Sequence, residues 1–385
     1  LSNAFTLNRA SSAWTIDPRD EIKKVADGEP RVYRGEQRLL VEDQRDSILL
    51  GSANTDASAW SASIGTDIEN YPDDKKNQTV QKIDENTDSQ YHFIRDYLSG
   101  SPQTLSCSHI VKAAGRDEMV ISQEAAGSQI QQAFDLNDGT AGQSSPSSRV
   151  LAAKAVSIGN GWYNARVVFD IQGDSLGEHR VRLFKGWNNR DYTGENGKGI
   201  LWMLGDAQPG SYVSSPILEG STRNKDTVYI SGLDDLTNDV VGTWLMDLKF
   251  LNDYSPSTYG KIFTFGGISN SVDQTIQTDG QSSEPYGIRF GGTSYQEIDH
   301  FKFVNSNQRV RVAVSANMQS NELILSVNGE SRKSTSYNKG AGIPRANSFF
   351  VGQPGYVDHQ LAIKSIGYDP SYLTKSEIDN LTTVI

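Results

Sequence analysis

The sequence predicts an all-β protein built from two antiparallel β-sandwiches, and three observations predict it. Apolar residues recur at every second position: Val310, Val312 and Val314 alternate with Arg309 and Arg311, and Leu323, Leu325 and Val327 repeat the pattern. A period of two sends alternate side chains to opposite faces of a strand, and here the six apolar ones are expected to be buried. Turn chemistry separates such runs, because Asn137-Asp138-Gly139, Gly159-Asn160-Gly161 and Asn328-Gly329 offer residues that tolerate positive φ. Helix signals are sparse. The clearest is Thr374-Lys375-Ser376-Glu377, a capping box ahead of Ile378 and Leu381, both expected on the inner side of a short helix.

Composition bounds the possibilities. A chain of 385 residues is long enough for two or three domains, each with its own core. It has no run of about 18 apolar residues, so no membrane insertion is expected. The formal charge of −11 is spread without a basic patch, which argues against nucleic acid, since phosphate binding needs clustered Lys and Arg. Cys107 is the only cysteine, so the fold rests on burial without an intrachain disulfide.

In chain order, residues 1–38 read as an extended leader. Phe5-Thr6-Leu7 and Ala13-Trp14-Thr15-Ile16 are short extended pieces, and Asp17-Pro18-Arg19-Asp20 is a turn. So little apolar surface cannot fold alone, and the leader is expected to pack on the next domain or a neighbouring subunit. Residues 39–222 form the first sandwich. Its polar stretch from Asp67 to Ser89 reads as a solvated loop, followed by strand signals at 91–94 and 105–111, the latter placing Cys107, His109 and Val111 on one face. Ile130 to Leu136 is a strand closed by the Asn137-Asp138-Gly139 hairpin turn. The organising strand follows at 162–169, with Trp162, Asn164, Arg166 and Val168 on one side and Tyr163, Ala165, Val167 and Phe169 on the other. Further strands are expected at 179–184 and 199–204, and regular strands between Gly/Ser/Asn loops argue for packed antiparallel sheets. Residues 222–226 read as a linker. A second sandwich spans 228–385, opening with Trp244 to Phe250 and Lys261 to Gly267.

Several of these segments, taken in order, resemble a known family. Leu39-Leu40-Val41-Glu42 with Arg45 and Leu49-Leu50, the 159–169 strand, Gly199-Ile200-Leu201-Trp202 and Gln208-Pro209-Gly210-Ser211-Tyr212 resemble the carbohydrate-binding-like jelly roll of bacteriophage tail fibres and other tail proteins. Thr222-Arg223 and Asp226 match the hand-over to the next module. Ser326-Val327-Asn328-Gly329, Phe350-Val351-Gly352 and the C-terminal helix look like a concanavalin A-like, laminin-G-type sandwich. The resemblance implies a non-enzymatic virion protein, located extracellularly in the tail, that adheres to host surface glycans or proteins and contacts other tail proteins. It implies a homo-oligomer, three-fold as such fibres usually are, and an inert buried thiol at Cys107. Both resembled families often hold a structural calcium, so calcium stays possible without assigned ligands; no other cofactor is expected. A secreted or cell-surface bacterial carbohydrate-binding protein and a purely architectural virion protein remain as alternatives.

Candidate sites were weighed by the residue types each chemistry needs. Concanavalin-type glycosidases carry carboxylates at alternate strand positions, roughly 5–5.5 Å apart in a retaining enzyme. Glu297-Ile298-Asp299 starts that pattern, but Phe301 and Lys302 stand where the acid is needed, and lysine cannot replace it. The five histidines show no paired metal-ligand spacing. Asp135-Leu136-Asn137-Asp138-Gly139 lacks the closing Glu of an EF-hand and reads as a turn. No nucleophile elbow or P-loop is present. Sugar binding wants an exposed aromatic face flanked by planar amides and charges. Trp187, Asn188, Asn189, Arg190 and Tyr192 supply that mix in one loop, and Tyr254 and Tyr259 form a second candidate in the other sandwich.

Overall fold

In a computed structural model of the protein, the alternations at 309–314 and 323–327 become neighbouring strands, Arg309–Asn317 and Glu322–Val327, paired Val312 to Val327 and Val314 to Leu325. The structure describes residues 5–9, 13–16, 22–27, 29–33, 38–42, 45–49, 56–60, 62–71, 80–187, 191–210, 213–214, 217, 222–223, 226–231, 241–251, 261–265, 274–278, 286–291, 298–304, 308–317, 319–334, 348–351 and 361–384. The ladders of the four large sheets are antiparallel, and among the described residues the one α-helix is Lys375–Thr382. The fold is almost entirely β, made of stacked open sheets. The chain divides into two units, one of residues 13–24 and 45–223, the other of residues 1–12, 25–44 and 224–385.

The first unit contains two six-stranded sheets of jelly-roll type. One runs Thr140–Ser145, Ser128–Asp135, Glu118–Ala125, Leu176–Phe184, Phe93–Tyr97, Ala62–Ile64. The other runs Val150–Ser157, Trp162–Asp170, Thr104–Ala114, Gly199–Pro209, Val80–Glu85, Thr66–Tyr71. Ala165, Val167 and Phe169 of the organising strand join Cys107, Val111, Met119, Ile121, Val181 and Trp202 in the main core, while Trp162 points the other way into a smaller cluster with Ile110, Leu201 and Leu204. Both faces of that strand are thus covered, although Asn164 and Arg166 interrupt the apolar residues on the Trp162 side. Cys107 is fully buried, and burial pushes its thiol well above the ordinary range, which keeps it unreactive. The Asn137-Asp138-Gly139 hairpin forms as expected: Asp135 and Asp138 carboxylates accept from Asn137 N and Thr140 N at 2.8 and 3.0 Å. Gly139 is obligatory there, since at φ +75° a Cβ would come within 2.3 Å of the Tyr163 ring.

One expectation for this unit is corrected. The stretch from Asp67 to Ser89 is not simply a solvated loop, because Thr66–Tyr71 and Val80–Glu85 pair residue for residue, the first at the edge of its sheet and the second inside it; residues 72–79 lie outside the described residues. Val80 and Ile83 anchor the second strand in the core. Its charged residues are neutralised locally, Lys82 by Asp84 at 2.9 Å and Glu85 by Arg116 at 2.5 Å. Charge made this segment look solvated, and ion pairing is what lets it enter the sheet.

The second unit holds two seven-stranded sheets. One runs Glu330–Ser334, Glu322–Val327, Arg309–Asn317, Val241–Phe250, Leu361–Asp369, Arg38–Val41, Arg31–Tyr33. The other runs Phe5–Asn8, Thr227–Ser231, Ser348–Val351, Lys261–Phe265, Gln274–Thr278, Tyr286–Gly291, Ile298–Val304. Val310, Val312, Val314, Leu323, Leu325 and Val327 are all at most 1% exposed and pack with Trp244, Met246, Leu248 and Phe250. Each such burial contributes roughly 1.5–3 kcal/mol.

The leader is divided between the two units: residues 13–24 group with 45–223, whereas residues 1–12 and 25–38 group with 224–385. Phe5–Asn8 pairs with residues 227–230, and Leu39, Leu40 and Val41 pair with Ile363, Ala362 and Leu361, so these segments are strands of the C-terminal sandwich. The reason is a buried ion network. Asp226 receives Arg9 at 3.1 Å and also pairs with Arg31, whose guanidinium bridges to Glu42. Burial alone would lower the pKa of Arg31, but the charges of Glu42 and Asp226 outweigh it and raise it. Asp226, placed in a linker by its sequence context, is therefore a fixed internal residue. At the C-terminus the capping box forms at Thr374 and Glu377, and Ile378 is buried, but Leu381 is exposed. The inner position one turn on belongs to Thr382, whose hydroxyl meets Ser326 Oγ at 2.8 Å and accepts from Gly329 N at 3.0 Å.

Candidate functional site

The loop after Leu176–Phe184 was the first sequence candidate. Trp187 is half-buried, with its ring set edge-on to Phe184 at 5.8 Å. Gly186 N donates to Glu118 Oε2 at 2.6 Å and fixes the start of the loop. Asn188, Asn189 and Arg190 lie outside the described residues, as do Tyr254 and Tyr259. Tyr192 is buried. Its hydroxyl donates to Glu85, its ring lies 4.6 Å from His92, and the Arg116 guanidinium sits 5.6 Å from the ring centre. Arg116 grips Glu85 with two bonds, 2.5 and 2.8 Å, and reaches Glu195 at 3.0 Å. Burial would raise the Glu85 carboxyl, but the bonds from Arg116 and Tyr192 outweigh it and hold it below the usual range. Glu195 falls to about 2 through Arg116 and Lys185. Tyr192 thus anchors the far end of the loop instead of offering an open ring.

A different surface carries more chemistry, and it follows from strand alternation. Ile94, Met119, Ile121, Ile130 and Val181 point into the core, so their neighbours point to the outer face of the same sheet. Register then aligns one row across four strands: Gln131 faces Ser122, Ser122 faces Arg180, and Arg180 faces Arg95. The row is wholly polar. Below it lie Gln129, Glu124, Glu178 and Tyr97, and above it Val120, Arg182 and Phe93. Glu178 pairs with both Arg95 and Arg180 and accepts from Tyr97 Oη at 2.9 Å. The guanidiniums lie over rings: Arg180 is 4.9 Å from the Phe93 centroid, Arg95 is 5.6 Å from Tyr97, and Arg182 is 5.5 Å from Tyr91. Tyr97 is 58% and Tyr91 39% exposed, so both are exposed large hydrophobic side chains.

This row is also where buried polar atoms go unpartnered. Ser122 Oγ, Gln129 Oε1, Gln131 Oε1, Arg95 Nε and Arg180 Nε make no hydrogen bond, although Ser122 and Gln131 are at most 5% exposed. Leaving a buried donor or acceptor unmade costs about 1–3 kcal/mol, so a cluster of five on one face marks a place where a polar partner would be stabilised. The sequence does contain the signal. Arg180 and Arg182 alternate with Val181 and Leu183, Gln129 and Gln131 flank Ile130, and Phe93, Arg95 and Tyr97 share a face. Only the register brings these three runs side by side.

Two histidines with no sequence pairing meet between the sheets. His109 and His179 stack at 5.3 Å with Nε2 atoms 3.0 Å apart, enclosed by Trp60 and Trp202. Trp202 Nε1–H donates to His109 Nδ1 at 3.2 Å, which places the His109 proton on Nε2, where it donates to His179. Both rings are therefore neutral. Burial pushes His179 down to about 4, with Asp96 pulling weakly the other way, and burial together with His179 pushes His109 well below its ordinary value. Among the described residues, no three His, Cys, Asp or Glu side chains group as metal ligands, and no helix is long and apolar enough to cross a membrane.

No family model and no curated protein matches the sequence. Among solved structures, the chain is similar to the receptor-binding domain of a botulinum neurotoxin mosaic serotype C/D, at 10% identity and a TM-score of 0.32 over 40% of this chain and 39% of that one. It is also similar to a Ruminococcus gnavus sialidase CBM40 bound to α2,3-sialyllactose, at 15% identity and TM-score 0.32 over 39% and 86% of the two chains. A heptameric SAP-like pentraxin from Limulus polyphemus gives 15% identity and TM-score 0.29 over 36% and 68%. The chain spans about 39% of the length of the neurotoxin structure. At these scores the likenesses carry no argument about what this chain binds.

Proposed function

We propose that the protein works by noncovalent adhesion, without catalysis, and that the outer face around Gln131, Ser122, Arg180 and Arg95 is its glycan-binding surface. The observation that carries the reading is the row of unpartnered polar atoms on a rigid sheet beside exposed tyrosines. Amides, a hydroxyl and guanidinium N–H groups match the alternating donors and acceptors of sugar hydroxyls, and a tyrosine face can stack on a pyranose. A site built on strands is preorganised, so little ordering entropy opposes binding. The half-buried Trp187 extends the same chemistry to a neighbouring loop of that unit.

The ordered resemblance of residues 39–42, 159–169 and 199–202 to tail-protein jelly rolls supports a virion setting. In that setting the chain is a tail fibre or receptor-binding component, partnered by a host glycan or protein and by other tail proteins, in a three-fold homo-oligomer. Several copies per particle multiply a weak contact. Host-cell binding and a glycan array test the adhesion reading with three variants: Tyr97→Ala, Gln131→Ala and Trp187→Ala. Stacking adds roughly 0.5–1.5 kcal/mol beyond area burial, so loss of Tyr97 is expected to weaken binding about tenfold with the melting temperature unchanged. Binding unaltered by all three variants would overturn the assignment of the surface. Light scattering that returns a monomer mass at micromolar concentration would remove the trimer.

A further inference from the structure

We infer that the ligand of this face carries an anionic group, a carboxylate or a sulfate on a sugar; the inference rests on the adhesion reading above. The argument begins from how the guanidiniums are satisfied. Arg95 and Arg180 share one carboxylate, Glu178, which also accepts from Tyr97, so its oxygens are already engaged. Each of the two arginines still has an Nε–H without a partner. Guanidinium cannot lose its proton in a protein, so an under-compensated arginine is answered by an anion. The crowding is visible in Arg180, whose pKa is lowered by burial and then by the charge of Arg95, more than Glu124 on the same face offsets. Arg182 brings a third guanidinium one row above, over the Tyr91 and Phe93 rings.

The geometry selects the kind of anion. Nε and an Nη of one guanidinium form a planar fork that matches the two oxygens of a carboxylate or sulfate. Beside the fork, Ser122 Oγ and the Gln131 and Gln129 carbonyls present groups suited to hydroxyls, while Tyr97 and Tyr91 offer ring faces. A small inorganic anion would use only the first set, whereas an acidic sugar uses all of them. The chain carries a net −11, so a cluster of positive groups on one sheet face runs against its overall balance.

The test uses the full chain and ligands that differ in charge alone. A glycan array would carry uronate-containing, sialylated, sulfated and neutral glycans, among them chondroitin sulfate, desulfated chondroitin and its carboxyl-reduced neutral form. Binding concentrated on acidic glycans is expected, with a loss of tenfold or more for the neutral partner of each matched pair. Arg180→Gln is expected to abolish that preference, and Arg180→Lys, which keeps the charge but not the fork, to restore only part of it. Arg95→Gln serves if Arg180→Gln fails to fold, and Lys154→Gln, on the other sheet, is expected to change nothing. Desulfated chondroitin against chondroitin sulfate separates carboxylate from sulfate recognition. Equal affinity for acidic and neutral partners, unchanged by Arg180→Gln, would overturn the anion inference and leave adhesion standing. Absence of binding to every glycan and to host cells would remove adhesion, and this inference with it.

Discussion

Acid should loosen the jelly-roll unit through one pair of side chains. His179 is neutral in the fold, held at about 4 against an ordinary value of 6.5, because its ring is fully buried between Trp60 and His109. In the unfolded chain it takes up a proton near pH 6.5. Between about 6.5 and 4 the unfolded state therefore binds the extra proton, and stability falls as pH falls. Above that window the contribution is complete, and below it both states are protonated and the curve flattens. A gap of about 2.5 pKa units at 1.36 kcal/mol each gives about 3 kcal/mol lost between pH 7 and 4, with His109 adding in the same direction. The groups facing the pair are Asp96, Trp60 and Trp202, and of these only Asp96 carries charge, drawing His179 slightly back up. Urea unfolding followed by tryptophan fluorescence at pH 7.5, 6.5, 5.5 and 4.5 reads the effect. His179→Gln keeps an acceptor for His109 Nε2–H but removes the titration, so its acid limb should be shallower by about one proton. Identical pH dependence in the wild type and His179→Gln, or an imidazole of this pair titrating near 6.5 by NMR, would refute the reasoning.

Other substitutions read other parts of the structure. Trp162→Ala, which empties a fully buried site on the outer side of its sheet, should cost about 3–5 kcal/mol in denaturant unfolding of the first unit. Asp226→Ala leaves Arg9 and Arg31 buried without their shared carboxylate and should cost about 3–5 kcal/mol in the second unit, measured by the same unfolding. Thr374→Ala removes the acceptor for Glu377 N and should cost about 1 kcal/mol, visible as faster amide exchange in the first turn of the terminal helix.

Much of the fold was legible because local rules decided it. Alternation at 309–314 and 323–327 named the buried side chains, and the Asn137-Asp138-Gly139 turn and the Thr374 capping box formed where their chemistry placed them. What was hidden depended on partners far away in sequence. Lys82, Asp84 and Glu85 read as solvated until Arg116 and a second strand supplied their neutralisation. Arg31 and Asp226 look like surface residues of a leader and a linker, and only the charges of each other, Glu42 and Arg9 make their burial tolerable. The polar row behaves likewise: each strand shows an unremarkable alternation, and four of them must be aligned before Gln131, Ser122, Arg180 and Arg95 become one surface. The aromatic content of the 186–192 loop reads as a sugar platform in the sequence, but Tyr192 spends its hydroxyl on Glu85.

The strands at residues 5–8 and 38–41 have a consequence for how the chain is made. Phe5 pairs with Ile230, and Val41 with Leu361, so these strands leave the ribosome long before their partners. The intervening 45–223 segment has its partners within itself and can close while the outer sandwich is still incomplete. Until residues 361–363 emerge, Leu39, Leu40 and Val41 are an apolar strand with one open edge, the kind of segment that pairs with a wrong copy. Nesting of this sort ties the maturation of the C-terminal sandwich to the arrival of the 361–369 strand, and a product cut short before residue 361 would display that unpaired edge.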